Sequence, residues 1–277
     1  MKNKIVSLYN ILPKKLIHRI GKAKSLKFLR DAILRKKGIY KEAEVEINRS
    51  YLNYWVRFIF FASIKTAAKA YKGGIENTIL RNSITLINRN NQVNDDCTVI
   101  DIGSNFGYLS LVWSNSICKN NGLVLSFESN SNVFKTFNKS IEANDLKNII
   151  INENFAIGSE NKKIQLFINN TTSNTQKTNI SKESVEIEMR TIDSYLESKL
   201  INRCDLIKID VDGLEFEILN GCIDTIIKFK PIFIVEANND NRIINFFITR
   251  NYKILNMNLD EYSTNTEMPS NIFCIPN

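Results

Sequence analysis

The stretch VIDIGSNFGYLSL, residues 99–111, sets an aspartate and two glycines between one apolar run and the next. The chain holds only 10 glycines in 277 residues. Glycine loses more conformational freedom on folding than any other residue, so Gly103 and Gly107 mark a backbone that must turn sharply and let something come close. From this turn outward the chain keeps a beat. The apolar run CTVIDI precedes the turn, and a helical stretch follows to about Cys118. LVLSFE (123–128) comes next, with a helix pattern on Val133, Phe134, Phe137 and Ile141, and then NIIINE (148–153). DLIKIDVD (205–212), PIFIVEA (231–237), YKILNM and NIFCIP complete seven short runs, with helix patterns on Leu214, Phe216, Ile218 and Leu219 and on IINFFITR between them. Continuous apolar strands alternating with helices predict an α/β fold, a mostly parallel seven-stranded sheet covered by helices on both faces. Between the third and fourth runs, AIGSENKKIQLFIN (156–169) reads as a hairpin, 169–184 as a polar loop, and VEIEMRTIDSYLES as a strand and a helix start.

Formal net charge is +8, and it is unevenly spread. Residues 1–40 carry twelve Lys/Arg against the single acid Asp31, about +11, so the body is near neutral or slightly acidic. Leu16, Ile17, Ile20, Leu26, Leu29 and Ile33 recur at helical spacing among those cations, which predicts a basic amphipathic helix. Such a segment suits an anionic partner (a lipid surface, a charged glycan or a nucleic acid) or simply a solvated face. Residues 50–70 read as aromatic helix, Gly73-Gly74 as a break, and 1–80 as a basic helical extension ahead of a domain over 81–277.

Five scattered cysteines without metal or Cys-x-x-Cys spacing fit a reducing compartment. No signal peptide is visible, and VRFIFFASI (56–64) is too short to span a bilayer. The expected location is therefore cytoplasmic, with the tail at the inner face of a membrane. His18 is the only histidine, so no Ser-His-Asp triad, Cys-His pair or His-rich metal site can form in the body.

In open α/β sheets ligands bind beyond the carboxyl ends of the strands, where the first strand meets its helix. The fingerprint Gly-x-Gly-x-x-Gly is absent; the spacing is Asp101-x-Gly103-x-x-x-Gly107, characteristic of S-adenosylmethionine sites. That ligand has no phosphate to cradle, and its ammonium group can be held by a carboxylate such as Asp101. Glu128, at the end of the second run, can accept hydrogen bonds from both ribose hydroxyls. Both acids could instead cap the helices that follow them.

The later segments carry a resemblance. IKIDVDGLEFEILNG (207–221), PIFIVEAN and NIFCIP, together with FESNSNVFKTFNKSIEAND, NFAIGSENKKIQLFIN and MRTIDSYLES, resemble in order the FkbM-type methyltransferases, over roughly 95–276. The resemblance implies a Rossmann-like class I fold, an S-adenosylmethionine-dependent O-methyltransferase, and a sugar, glycan or natural-product hydroxyl as acceptor. It implies a cofactor site on Asp101, Gly103, Ser104, Asn105, Gly107, Tyr108, Glu128, Ser129, Asn154 and Ala156. Two positions depart from the family pattern: Asp212 stands where Glu is common, and Ser129 where proline often follows the ribose-binding acid.

The methyl group of the cofactor is already activated, so the remaining work is in-line positioning of the acceptor and removal of its proton. The strand-end candidates are Asp210 first, Asp212 second and Glu236 third. Lys208 lies further inside its strand, where pairing with a carboxylate is its ordinary use. Asp210 and Asp212 could alternatively hold a divalent ion, and Asp212-Gly213 could only cap the next helix. No two of the four prolines are adjacent and no cysteine follows a proline, which argues against the usual amino-group and cytosine-C5 nucleic-acid methylases. Ribose 2′-hydroxyl methylation of RNA through Lys208, Asp210 and Glu236, and a non-catalytic cofactor-fold binding module, are the other readings.

Overall fold

The computed structural model describes residues 6, 9, 34–36, 39–90, 95–169, 172–174, 183–263 and 267–277. The basic amphipathic helix and His18, and most of the polar loop over 169–184, lie outside the described residues.

Two short strands, β1 (Arg35–Lys36) and β2 (Ile39–Tyr40), lead into a long antiparallel hairpin, β3 (Glu42–Tyr51) and β4 (Tyr54–Ser63). Helices α1 (Ile64–Gly73) and α2 (Asn77–Asn90) follow. The hairpin corrects the expectation of helix over 50–70. Along β4 the residues Tyr54, Val56, Phe58, Phe60 and Ala62 are buried, a period of two. The outward face also carries Trp55, Ile59 and Phe61, and that apolar content hides the alternation. The expected division at residue 80 falls inside α2.

The main sheet begins at β5 (Thr98–Ile102). Then come α3 (Tyr108–Ser114), β6 (Leu123–Phe127), α4 (Ser131–Ala143), β7 (Ile150–Glu153) and β8 (Ala156–Ile157). Next are β9 (Lys162–Asn169), β10 (Thr172–Asn174), β11 (Glu183–Arg190), α5 (Ile192–Ser198) and β12 (Leu206–Ile209). The chain closes with α6 (Glu215–Asn220), α7 (Ile223–Phe229), β13 (Ile232–Glu236), α8 (Asn241–Ile248), β14 (Tyr252–Leu255) and β15 (Asn271–Pro276).

Seven strands form one sheet in the order β14-β15-β13-β12-β5-β6-β7, parallel except for β15, which runs antiparallel to both neighbours. All seven correspond to the runs read from the sequence. A second sheet has the order β10-β9-β11-β8. The hairpin expected over 156–169 does not form: β9 pairs with β10 and β11, and β8 pairs in parallel with β11.

Successive residues of each central strand enter opposite cores. Val99, Val124 and Leu206 join the cluster under the hairpin, whereas Ile100, Leu125 and Ile207 join the cluster under α5–α8. Both sheet faces are therefore dry, as continuous apolar runs require. The hairpin is part of that core. Its outer edge is closed by α4 and the residue after it: Ile59 N–H donates to Asn144 Oδ1, Asn144 Nδ2 donates to the Ile59 carbonyl, and Phe61 N–H donates to Ser140 Oγ. Side chains thus do for β4 what a neighbouring strand would do, removing an exposed edge. All five cysteines are buried and none forms a disulfide. Among the described residues no helix is long and apolar enough to cross a membrane.

Candidate active site

The turn after β5 is built on the neighbouring strand. Gly103 N–H and Ser104 N–H both donate to the Phe127 carbonyl, at 3.0 and 3.1 Å, and Gly107 N–H donates to the Ser104 carbonyl at 2.8 Å. Gly103, Asn105 and Gly107 are all left-handed, with φ of 76°, 52° and 75°. The glycines also clear space for protein. A Cβ on Gly103 would lie 1.9 Å from the Asp210 carbonyl oxygen, and one on Gly107 2.0 Å from the Phe137 ring. Their absence of a side chain seats β12 and α4 against the turn.

Asp101 lies beneath the turn. It sits opposite Lys208 of β12 and Ser126 of β6 in the sheet register. It is 1% exposed, accepts a hydrogen bond from Ser110 Oγ at 2.5 Å, and has Lys208 Nζ 3.6 Å from its other oxygen. Burial pushes its pKa up, while Lys208 and Ser110 pull it down. Lys208 Nζ also donates to the Gly103 carbonyl at 3.3 Å and pairs with Asp210 at 3.1 Å. Burial works against the charge on Lys208, but Asp210, Asp101 and Glu76 outweigh it and the pKa is raised. The lysine therefore joins β5, the glycine turn and the end of β12.

Glu128 follows β6 and is 7% exposed. One of its oxygens accepts Asn105 N–H at 2.9 Å and the other Asn130 N–H at 2.7 Å. Burial is the main cause that lifts its pKa to about 7, against those two hydrogen bonds and Lys208. A carboxylate offers about four acceptor directions, so one stays open on each oxygen, the pattern a vicinal diol requires. Asn154 steadies this corner: its Nδ2 donates to the Glu128 carbonyl at 2.7 Å and to the Ser129 carbonyl at 3.2 Å, and its Oδ1 accepts Ser131 Oγ. Ala156 opens β8 beside Met189. Asn105 is exposed, and Ser104 Oγ is buried with no hydrogen-bond partner among the described residues. Tyr108 turns away from the strand ends: it is 3% exposed, its hydroxyl meets that of Tyr51 at 3.0 Å, and its ring packs edge-on against Phe58 and Phe60.

Across the same end of the sheet, Asp210 and Glu236 share a hydrogen bond. Burial works to raise the pKa of Asp210, but Lys208 and this bond bring it below the ordinary range. Burial, the Asp210 charge and the shared bond lift Glu236 to about 7, with Asn238 pulling the other way. Glu236 therefore keeps its proton to higher pH than Asp210 does. Asp212 stands apart, exposed and left-handed at φ 57°. The turn around it is closed by Glu215, which accepts Val211 N–H and Gly213 N–H at 3.2 Å each. Among the described residues no group of three or more His, Cys, Asp or Glu could hold a metal ion.

Two acids escaped the sequence reading. Glu215 has a local signal, an acid three residues after Asp212-Gly213 that can reach back to free N–H groups. Glu76, which feels the charges of Lys208, Asp210 and Asp101, has only the glycine pair before it.

The model of the methyltransferase FkbM domain family matches residues 101–254, more than half of the chain. The chain belongs to the FkbM methyltransferase family. Among solved structures, this FkbM family member is similar to an FkbM methyltransferase from Methylobacillus flagellatus KT, at 18% identity over 65% of this chain, with a TM-score of 0.47. It spans only 44% of that protein's length. It is also similar to an O-methyltransferase from Bacillus cereus in complex with SAH, at 14% identity over 77% of this chain and 87% of the other, with a TM-score of 0.43. A precorrin-6y C5,15-methyltransferase from Geobacter metallireducens GS-15 is 12% identical over 74% of this chain and 89% of its own, with a TM-score of 0.43. No curated protein matches the chain. The matched stretch begins at Asp101, the acid beneath the turn, and ends inside β14.

Proposed function

We propose that this FkbM-family methyltransferase uses S-adenosylmethionine to methylate a hydroxyl of a sugar, glycan or related natural product. The observation that carries the reading is the Asp210–Glu236 pair, one acid held below the ordinary range and the other raised to about 7, at the same strand ends as Glu128 and the glycine turn. When bound, the cofactor supplies a methyl group activated by its sulfonium. Glu128 accepts the ribose hydroxyls through the two directions its backbone bonds leave open. Lys208 keeps Asp210 ionised, so Asp210 orients the acceptor hydroxyl by accepting its hydrogen bond. Glu236, with a pKa of about 7, is matched to take the acceptor's proton at neutral pH. The ordering follows from the pKa directions: an acid held low orients well but takes up a proton poorly.

Methyl transfer from radiolabelled cofactor into a panel of saccharides, with total RNA as the competing acceptor, tests the acceptor class. Base-stable label in the saccharide fraction is expected. Label confined to RNA would replace the reading with ribose methylation.

Glu128→Gln should weaken binding of S-adenosylhomocysteine by roughly 1.5–3 kcal/mol, the range for hydrogen bonds to a charged group. A diol that donates to the charged carboxylate lowers its pKa, so wild-type affinity should rise with pH through about 7. The Gln variant should show no such rise by titration calorimetry; an identical rise in both would remove Glu128 from the ribose.

The charge of residues 1–40, about +11, supports a further element of the proposal: the tail rests on the anionic face of a membrane where lipid-linked glycans are handled. Full-length protein should co-sediment with phosphatidylserine vesicles and lose that binding near 1 M salt, where the Debye length is about 3 Å. Changing Lys22, Lys24 and Lys27 together to Gln should weaken it. Equal binding to neutral vesicles would remove the electrostatic role.

A further inference from the structure

Asp101 is the acid that the sequence offers to the ammonium group of the cofactor, yet it is 1% exposed, with Oδ2 bonded to Ser110 and Oδ1, which has no hydrogen-bond partner among the described residues, 3.6 Å from Lys208. A different carboxylate reaches the same end of the sheet. Glu76 sits in the elbow between α1 and α2, left-handed at φ 50°. Gly74 N–H closes α1 onto the Ala70 carbonyl at 2.9 Å, and Leu80 N–H donates to the Glu76 carbonyl at 3.0 Å. Tyr51 hydroxyl donates to Asn77 Oδ1 at 2.9 Å and lies 3.0 Å from the hydroxyl of Tyr108. Tyr108 is the first residue of α3, directly after Gly107. The elbow is therefore fastened to the far side of the glycine turn, and Glu76 is carried with it.

The Glu76 side chain is exposed, and among the described residues it has neither a hydrogen bond nor an ion pair. Its charged neighbours include Lys208 and Asp210 at the end of β12, Asp101 of β5 and Lys69 of α1. We infer that Glu76 binds the α-ammonium of the methionyl end of S-adenosylmethionine, a contact that rests on the cofactor reading above. Three carboxylates, Glu76, Asp101 and Asp210, outnumber Lys208 and Lys69 here, so these strand ends carry excess negative charge and suit a cation. Partial loss of hydration is the main cause that raises the pKa of Glu76, with Lys208 and Lys69 pulling it down and Asp210 and Asp101 adding to the rise. Ser104 in the turn is 7% exposed and its buried hydroxyl has no hydrogen-bond partner among the described residues, so the turn retains unused polar capacity. A residue outside the matched family domain thus completes the cofactor site.

Titration calorimetry with two probes tests this. S-adenosylhomocysteine keeps the amino-acid end; 5′-methylthioadenosine lacks it. Glu76→Gln should weaken S-adenosylhomocysteine by roughly 10- to 100-fold, as expected for loss of one charge-assisted hydrogen bond, and leave 5′-methylthioadenosine unchanged. Glu76→Gly, which suits the left-handed backbone, should give the same split without loss of folding. Unchanged S-adenosylhomocysteine binding in both variants, including a case where only methyl transfer falls, would overturn the assignment. A parallel loss of both probes would overturn it too, since the contact would then not be with the amino-acid end. Wild-type protein that binds neither probe defeats the cofactor reading itself, and the assignment with it.

Discussion

Asp210→Asn should lower methyl transfer by roughly 100- to 10,000-fold, the range for loss of acid–base assistance, while S-adenosylhomocysteine affinity stays within a few fold. The substitution keeps the shape of the side chain and removes its charge. Lys208 loses the charge of its partner at 3.1 Å, and Glu236 loses the charge that helps hold its proton. The pKa of Glu236 should therefore fall from about 7 toward the ordinary glutamate value of about 4.3. In the wild type, turnover should rise with pH through about 7 as Glu236 gives up its proton. In the variant the residual activity should rise at lower pH. Full activity, or a pH profile that does not move, would take the proton transfer away from this pair.

Lys208→Met should cost about 3–5 kcal/mol of stability, the range for removing one partner of a buried ion pair. Asp101 would be left 1% exposed with only Ser110 beside it, and the Gly103 carbonyl would lose its donor. Without the lysine, Asp101 would hold its proton to higher pH in the folded state than in the unfolded chain. That contribution is present below the unfolded pKa and is lost as pH rises through the folded one. The loss should therefore be larger at pH 8 than at pH 5 in urea unfolding. Adding Asp101→Asn should recover most of the deficit. A loss below about 1 kcal/mol, or no recovery in the double variant, would mean that the pair is not the fastening it resembles.

The sheet is legible because each of its strands is buried on both faces, so an apolar run bounded by turn residues has few other uses. The hairpin at 42–63 is not, because Trp55, Ile59 and Phe61 give its outer face the same composition as its inner one. The glycine turn, Glu128 and the Asp210–Glu236 pair could be placed from position alone, since strand ends converge. Asp101 could not be placed so simply. It stands one residue before the end of β5, and Lys208 stands opposite it one residue before the end of β12. An acid and a lysine each embedded in an apolar run are the trace such a pair leaves in a sequence. Glu76 leaves no trace, because its place depends on how the tyrosines of β3 and α3 tie a distant elbow to the turn.

The five buried thiols have a use outside the chemistry. Burial raises the pKa of Cys118, Cys204, Cys222 and Cys274, so each is both shielded and held as the unreactive thiol while its surroundings stay closed. They are distributed through both cores: Cys97 and Cys118 under the hairpin side of the sheet, and Cys204, Cys222 and Cys274 under the other. Alkylation by a small reagent then works as a clock on opening, one set of hands for each face of the sheet. Comparing the two sets tells whether the molecule breathes as one unit or lifts its hairpin layer first.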